Sequence, residues 1–311
     1  MIMLKSLQRA AVPAIVALVV LSQASQAQES FSSPEQAAAA LADAVKSGTN
    51  RTILKVLGNA AEDIVSSGDE VADAEMRQRF TTAYDAKHSI KAEGNKKATL
   101  IVGNDDFPFP IPLYNTKSGW EFDTQVGRLE ILYRRIGRNE LNAIQTCLAF
   151  VDAQNEYAEK DRGQGVGVYA QRIVSSPGKK DGLFWRDDSD PSPLGELAAE
   201  ASSEGYQLEG KGAPYHGYYY RILKAQGSDA PGGALNYVVN GKMIGGFALI
   251  AYPAEYGNSG VMTFMVNHAG TVYQKDLGRR TYVNAKRMIV FDPDQTWKKV
   301  NARELTSRKA E

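Results

Sequence analysis

The chain is nearly devoid of cysteine, with Cys147 alone among 311 residues. That excludes a disulfide framework and any zinc or iron–sulfur site built from several thiolates. It is poor in histidine too. His88, His216 and His268 are the three present, and no two have the i, i+4 spacing of a helical zinc site. Neither sign of charge is in excess, with 36 Lys+Arg against 36 Asp+Glu. Nucleic-acid binders usually carry a basic excess or stripe, so nucleic acid is not an expected partner. No apolar run reaches the ~20 residues that cross a bilayer; Ala10–Leu21 falls well short. What remains is a composition of 43% hydrophobic and 23% charged residues, that of a folded globular protein of one large or two ordinary domains.

Residues 1–27 read as a secretory signal peptide. Lys5 and Arg9 form a positive leader, Ala10–Leu21 an apolar core, and Ser25-Gln26-Ala27 a small-residue cleavage site. Cleavage there removes two bases and no acid, so the remaining chain is slightly acidic. The expected location is the periplasm or the exterior, with no membrane span after cleavage.

Along the rest of the chain the texture changes once. Ser33-Pro34-Glu35-Gln36 is a helix start, with Ser33 as cap and Gln36 completing a capping box, and Gly48 is its stop. A second helix is expected over 51–57, and a third capped by Asp69. Ala98–Val102 reads as a strand. The three prolines of Phe107–Leu113 confine it to an edge. Trp120–Asp123 alternates as a strand, and helix is expected from Gln125 to about Lys160, broken at Ile136–Glu140 with Asn139 recapping. The glycine-rich run Asp161–Gly167 is the expected boundary between a helix-rich α+β domain (28–160) and an antiparallel β-rich domain (161–311). In the latter, strands are expected at 218–224, 235–239, 247–252, 261–266 and 271–275, with a tight turn at Asn240-Gly241.

The chemical motifs are weak. Gly205–Lys211 has the glycine-to-lysine spacing of a phosphate loop but lacks the following Ser/Thr and the strand–loop–helix context. Gly257-Asn258-Ser259-Gly260 lies between two strands and reads as a turn rather than a nucleophile elbow. Cys147 sits in an apolar helical stripe, the setting of an inert thiol. No catalytic residue, metal site or cofactor is expected. Arg128, Arg134, Arg135 and Arg138 crowd one helix with Glu130 and Glu140. Either they form a salt-bridged surface, or one or two pair with Asp123 beneath the sheet and floor an anion-binding cleft. Tyr218 and Tyr220 fall on one face of a strand and Tyr219 on the other. They are either core or a docking surface.

Several stretches carry a family resemblance: Phe31–Leu41, Phe107–Leu113, Trp120–Thr124, Arg134–Glu140, Pro177–Trp185, Pro214–Leu223, Val238–Phe247 and Ala251–Val266. Together they resemble the exported bacterial proteins of domain-of-unknown-function family 2950. The resemblance implies secretion and a two-part architecture, and it assigns no activity. It also implies a calcium-loop-like pattern near 161–169, but Arg162, Gln164, Gly165 and Gly167 supply no carboxylate. The helix-rich half is similar to NTF2-like and cystatin-like α+β folds. Residues 217–275 are similar to the β-module of pilin-like proteins. Fold likeness of this kind carries no function.

The functional expectation is a non-catalytic binding or interaction module of the cell envelope, with an envelope protein or cell-wall partner. The alternatives are a structural envelope protein, or a small-molecule pocket in the first half, possibly enzymatic. The residues expected to bind a ligand are Tyr84, Trp120, Asp123, Arg134, Arg135 and Arg138. Tyr218, Tyr219 and Tyr220 are the expected interaction surface.

Overall fold

The computed structural model describes residues 28–187, 189–207 and 213–301. The expected signal-peptide segment, residues 208–211 at the end of the Gly205–Lys211 motif and the charged tail from 302 lie outside the described residues. The fold is α+β with antiparallel sheets.

Four helices come first: α1 (Pro34–Lys46), α2 (Asn50–Leu57), α3 (Glu62–Val65) and α4 (Glu70–Ala86). The Ser33 hydroxyl caps α1 by accepting from the Gln36 N–H at 3.3 Å. The expected capping box is half made, because the Gln36 side chain accepts from Ser32 Oγ instead. Asp69 caps α4, accepting from the Ala72 N–H at 3.1 Å. The first sheet follows with β1 (His88–Glu93), β2 (Lys97–Val102), β3 (Phe107–Pro108), β4 (Leu113–Asn115) and β5 (Trp120–Phe122). Its order is β1-β2-β4-β5, and the proline-rich β3 pairs off this path with β2. Ala98, Leu100 and Val102 alternate inward from β2, as period-2 patterning requires. The helices α1 and α2 pack Leu41, Ile53 and Leu57 over Ile111, Leu113 and Phe122.

α5 (Thr124–Ala158) is one unbroken helix, which corrects the expected interruption at Ile136–Glu140. Gly137 costs a helix only about 1 kcal/mol against alanine. Asn139, expected to recap, instead sends its side chain to a tertiary partner, donating to the Ser259 carbonyl at 2.9 Å. α5 belongs to two cores. Leu132 packs in the first, whereas Ala143, Ile144, Cys147, Phe150 and Val151 pack in the second.

After the glycine-rich connection come α6 (Gly195–Glu204), β6 (Tyr218–Leu223), β7 (Ala225–Gln226), β8 (Leu235–Asn236), β9 (Val238–Val239), β10 (Lys242–Met243), β11 (Ala248–Pro253), β12 (Met262–Asn267), β13 (Tyr273–Asp276), α7 (Thr281–Arg287) and β14 (Lys298–Lys299). The main sheet runs β14-β13-β12-β11-β6, all antiparallel. Every residue of β11 is buried, because α5 and α7 both pack against it. A strand covered on two faces reads as a continuous apolar run, as Phe247–Tyr252 does. In the glycine-rich connection, Asp161 Oδ1 accepts the N–H groups of Gly163 and Gly165, and the Lys242 ammonium donates to the Gln164 carbonyl at 2.7 Å.

Candidate functional site

A joint between the two cores shapes the site. Arg135 is only 9% exposed. Its guanidinium donates to the Asp63 carbonyl at 2.7 Å, the Ile64 carbonyl at 2.5 Å and Asn258 Oδ1 at 2.5 Å. The Asn258 amide in turn donates to the Ser66 carbonyl at 2.9 Å and to Glu255 Oε2 at 2.8 Å. One helical turn on, Asn139 holds Ser259, and Glu140 Oε1 accepts the N–H groups of Val261 and Met262. A second tie runs through the buried Asp69, whose Oδ2 accepts from Tyr206 Oη at 3.0 Å and from the Gly217 N–H at 2.8 Å. The 257–260 segment is the expected turn, closed by Gly257 N–H to the Gly260 carbonyl. Its role as the joint was not read from the sequence, since Asn258 finds its partners only through folding.

Beside this joint a cleft of about 620 Å³ opens between α4 and α5. Glu75, Met76, Arg79, Phe80 and Ala83 face it from α4, and Ile131, Arg134, Arg138 and Asn142 from α5. Both sets follow the i, i+3, i+4 spacing of one helix face. Phe107 and Phe109 form the aromatic wall, and Glu204 and His216 reach the rim from the second half. His216 adopts φ of 48°, an uncommon left-handed conformation for a residue other than glycine. Its Nε2 lies 3.2 Å from Glu204 Oε2.

The arginines of the cleft are not equivalent. Arg79 pairs with Glu75 at 3.3 Å. Arg134 pairs with Glu130 at 2.6 Å and lies 5.2 Å over the Phe107 ring. Arg138 has no hydrogen-bond or ion-pair partner among the described residues, although it faces the open cleft. Partial desolvation, and then the neighbouring Arg79 charge, pull its basicity below the ordinary guanidinium value, with Glu75 opposing. Burial also lowers Arg135, against the pull of Asp73 and Asp63. Asp73, buried at the cleft floor, is pushed above the usual carboxylate value by desolvation, although the Ser67 N–H and Arg135 act against it. Glu204 is raised by desolvation, with His216 opposing.

The structure brings Arg134, Arg135 and Arg138 together at the cleft. It places the other expected ligand residues elsewhere. Tyr84, on α4, is buried with Ala38, Ala42 and Leu100, its ring stacked on His88 at 3.9 Å. Trp120 pairs with Phe31 and Asn115 in the sheet. Asp123 stands at the N-terminus of α5, its N–H donating to the Pro112 carbonyl at 2.8 Å. The alternative in which an arginine of α5 pairs with Asp123 does not form among the described residues; Arg128 binds Asp63 instead.

The three tyrosines do not share one surface. Tyr218 is fully buried, its hydroxyl donating to the Met262 carbonyl at 2.9 Å. Tyr220 faces the α5 side near Thr146 and Phe150. Tyr219 packs on the opposite face against Tyr252 and Tyr282. Cys147 is buried, and desolvation pushes its thiol up to about 12. No group of three or more metal-ligating side chains is found among the described residues.

Fold and site together define an α+β protein whose two cores meet at an arginine-lined cleft. The chain belongs to a family described as protein of unknown function (DUF2950), whose model matches residues 28–300. No curated protein and no solved structure matches it.

Proposed function

We propose that the protein is exported to the cell envelope and acts there by binding, without catalysis, with an organic anion held in the cleft between α4 and α5. Arg138 is the observation that carries this reading. A guanidinium with no ion-pair or hydrogen-bond partner among the described residues, beside a second arginine, gains most from an anion, because a bidentate carboxylate both satisfies its donors and relieves the repulsion. The cleft is concave, with Met76, Phe80, Phe107, Phe109 and Ile131 as an apolar wall beside its charged side chains, and concave sites that combine apolar surface with placed polar groups take small molecules. Export is supported by the leader-like pattern of residues 1–27. No helix among the described residues is long and apolar enough to cross a membrane.

Isothermal titration of the leaderless chain against organic anions, with matched neutral and cationic compounds as controls, tests the reading. Anions bind, and Arg138→Glu abolishes that binding while leaving circular dichroism and melting unchanged. Binding that is indifferent to the charge of the compound, or to Arg138→Glu, would overturn it.

A further inference from the structure

We infer that the ligand is a monoanionic amphiphile, a single carboxylate carrying a short aliphatic tail; this rests on the anion-binding reading above and names its ligand class. Next to the cleft lies a second pocket, of about 100 Å³, roofed by α1 and α2. Arg77 is the single polar side chain of its lining, and that residue reaches Asn50 Oδ1 at 3.3 Å. The remainder is aliphatic or aromatic, including Leu41 and Ile53. The pocket and the cleft share Met76, Phe80, Phe109 and Ile131. An apolar hole therefore adjoins the basic wall across one row of side chains. Apolar cavities of about 150 Å³ lined by such side chains stay dry and take up a molecule the size of benzene. This one suits a short alkyl segment.

The charge count selects the head group. Four arginines and four carboxylates line the cleft, so its field is nearly balanced. Arg79 and Arg134 already have glutamate partners. One unpartnered guanidinium matches one carboxylate. A phosphate dianion would bring a second charge toward Asp73 and Glu75 with no further free cation to meet it. The tail then supplies affinity by leaving water, and the head fixes orientation on Arg138.

Calorimetric titration of the leaderless chain with butanoate, hexanoate and octanoate, with octan-1-ol and octylamine as controls, tests this. Each methylene that enters the pocket tightens binding about fourfold, so octanoate binds far more tightly than butanoate. Arg138→Ala weakens octanoate at least tenfold. Met76→Trp, which fills the shared row, removes the chain-length dependence. Ile131→Phe blocks the same row from α5 should the first variant fold poorly. Equal affinity for all three chain lengths, with dependence on Arg138 retained, overturns the tail assignment and leaves the anion-binding reading standing. Octanol binding as tightly as octanoate, with Arg138→Ala silent, overturns both. Absence of carboxylate binding, alongside another organic anion held through Arg138, overturns the amphiphile alone.

Discussion

The joint at Arg135 is expected to make the two cores unfold as one. The Arg135 guanidinium donates to two backbone carbonyls of the 63–64 segment and to the Asn258 amide oxygen. A hydrogen bond to a charged group contributes about 1.5–3 kcal/mol net. The Arg135–Asn258 contact is buried, where screening by water is weak, so the upper half of that interval applies. A double-mutant cycle of Arg135→Met and Asn258→Ala isolates it from the other bonds of each residue. Its coupling energy is expected at about 2–3 kcal/mol.

The tryptophans give separate reporters, because Trp120 packs on the first core and Trp185 and Trp297 belong to the second. Urea unfolding is followed in a Trp120-only background and in a background lacking Trp120. With the joint intact, the two transitions coincide. With both residues replaced, they separate. A coupling energy below about 0.5 kcal/mol, the level of additivity for independent sites, would refute the reasoning. So would transitions that stay coincident in the double variant.

Two further predictions concern stability. Asp73 is raised above its ordinary value of 3.8 by desolvation, so between that pH and its folded value the native state holds more protons than the unfolded one. Stability therefore falls as pH rises through that window. Asp73→Asn, which keeps an acceptor for the Ser67 N–H, flattens the slope in urea midpoints measured across acidic pH; an unchanged slope would contradict the assignment. Gly127 sits where α5 touches the segment before β4, and an added Cβ would lie 2.3 Å from the Pro110 carbonyl oxygen. Gly127→Ala should cost about 2–3 kcal/mol despite the better helix propensity of alanine. A variant as stable as the parent would show that the helix shifts freely.

Local signals were legible where a residue acts on its own neighbours. The Ser33-Pro34 start, the Asp69 cap, the proline-bearing β3 and the alternation of Tyr218, Tyr219 and Tyr220 all rest on contacts within a few residues. β1 was not foreseen. It is an edge strand of sequence HSIKAE in which only Ile90 is half-buried, so no alternating pattern marks it. Asn139 shows the opposite failure. Its type favours a cap, yet a partner 120 positions away claims its side chain.

The candidate site divides the same way. Crowded arginines on one helix are visible as spacing, and Arg134, Arg135 and Arg138 do gather at one cleft. Spacing does not say that Arg135 is used up in the joint while Arg138 finds no hydrogen-bond or ion-pair partner among the described residues. That distinction depends on whether Asp63, Ile64 and Asn258 arrive beside one guanidinium and not the other.

By itself the sequence determined a sparing use of cysteine and histidine, a leader-like first segment, a helix-rich half and a strand-rich half. These follow from composition, caps, turns and periodicity, all of which act over short distances along the chain. Only the tertiary structure decided that α5 runs unbroken through two cores, that Asn258 ties them together, and that Arg138 faces a cleft beside an apolar pocket. A buried hydrogen bond is set by which groups the fold brings within about 3 Å. Residues 123 positions apart, such as Arg135 and Asn258, carry no local mark of that meeting.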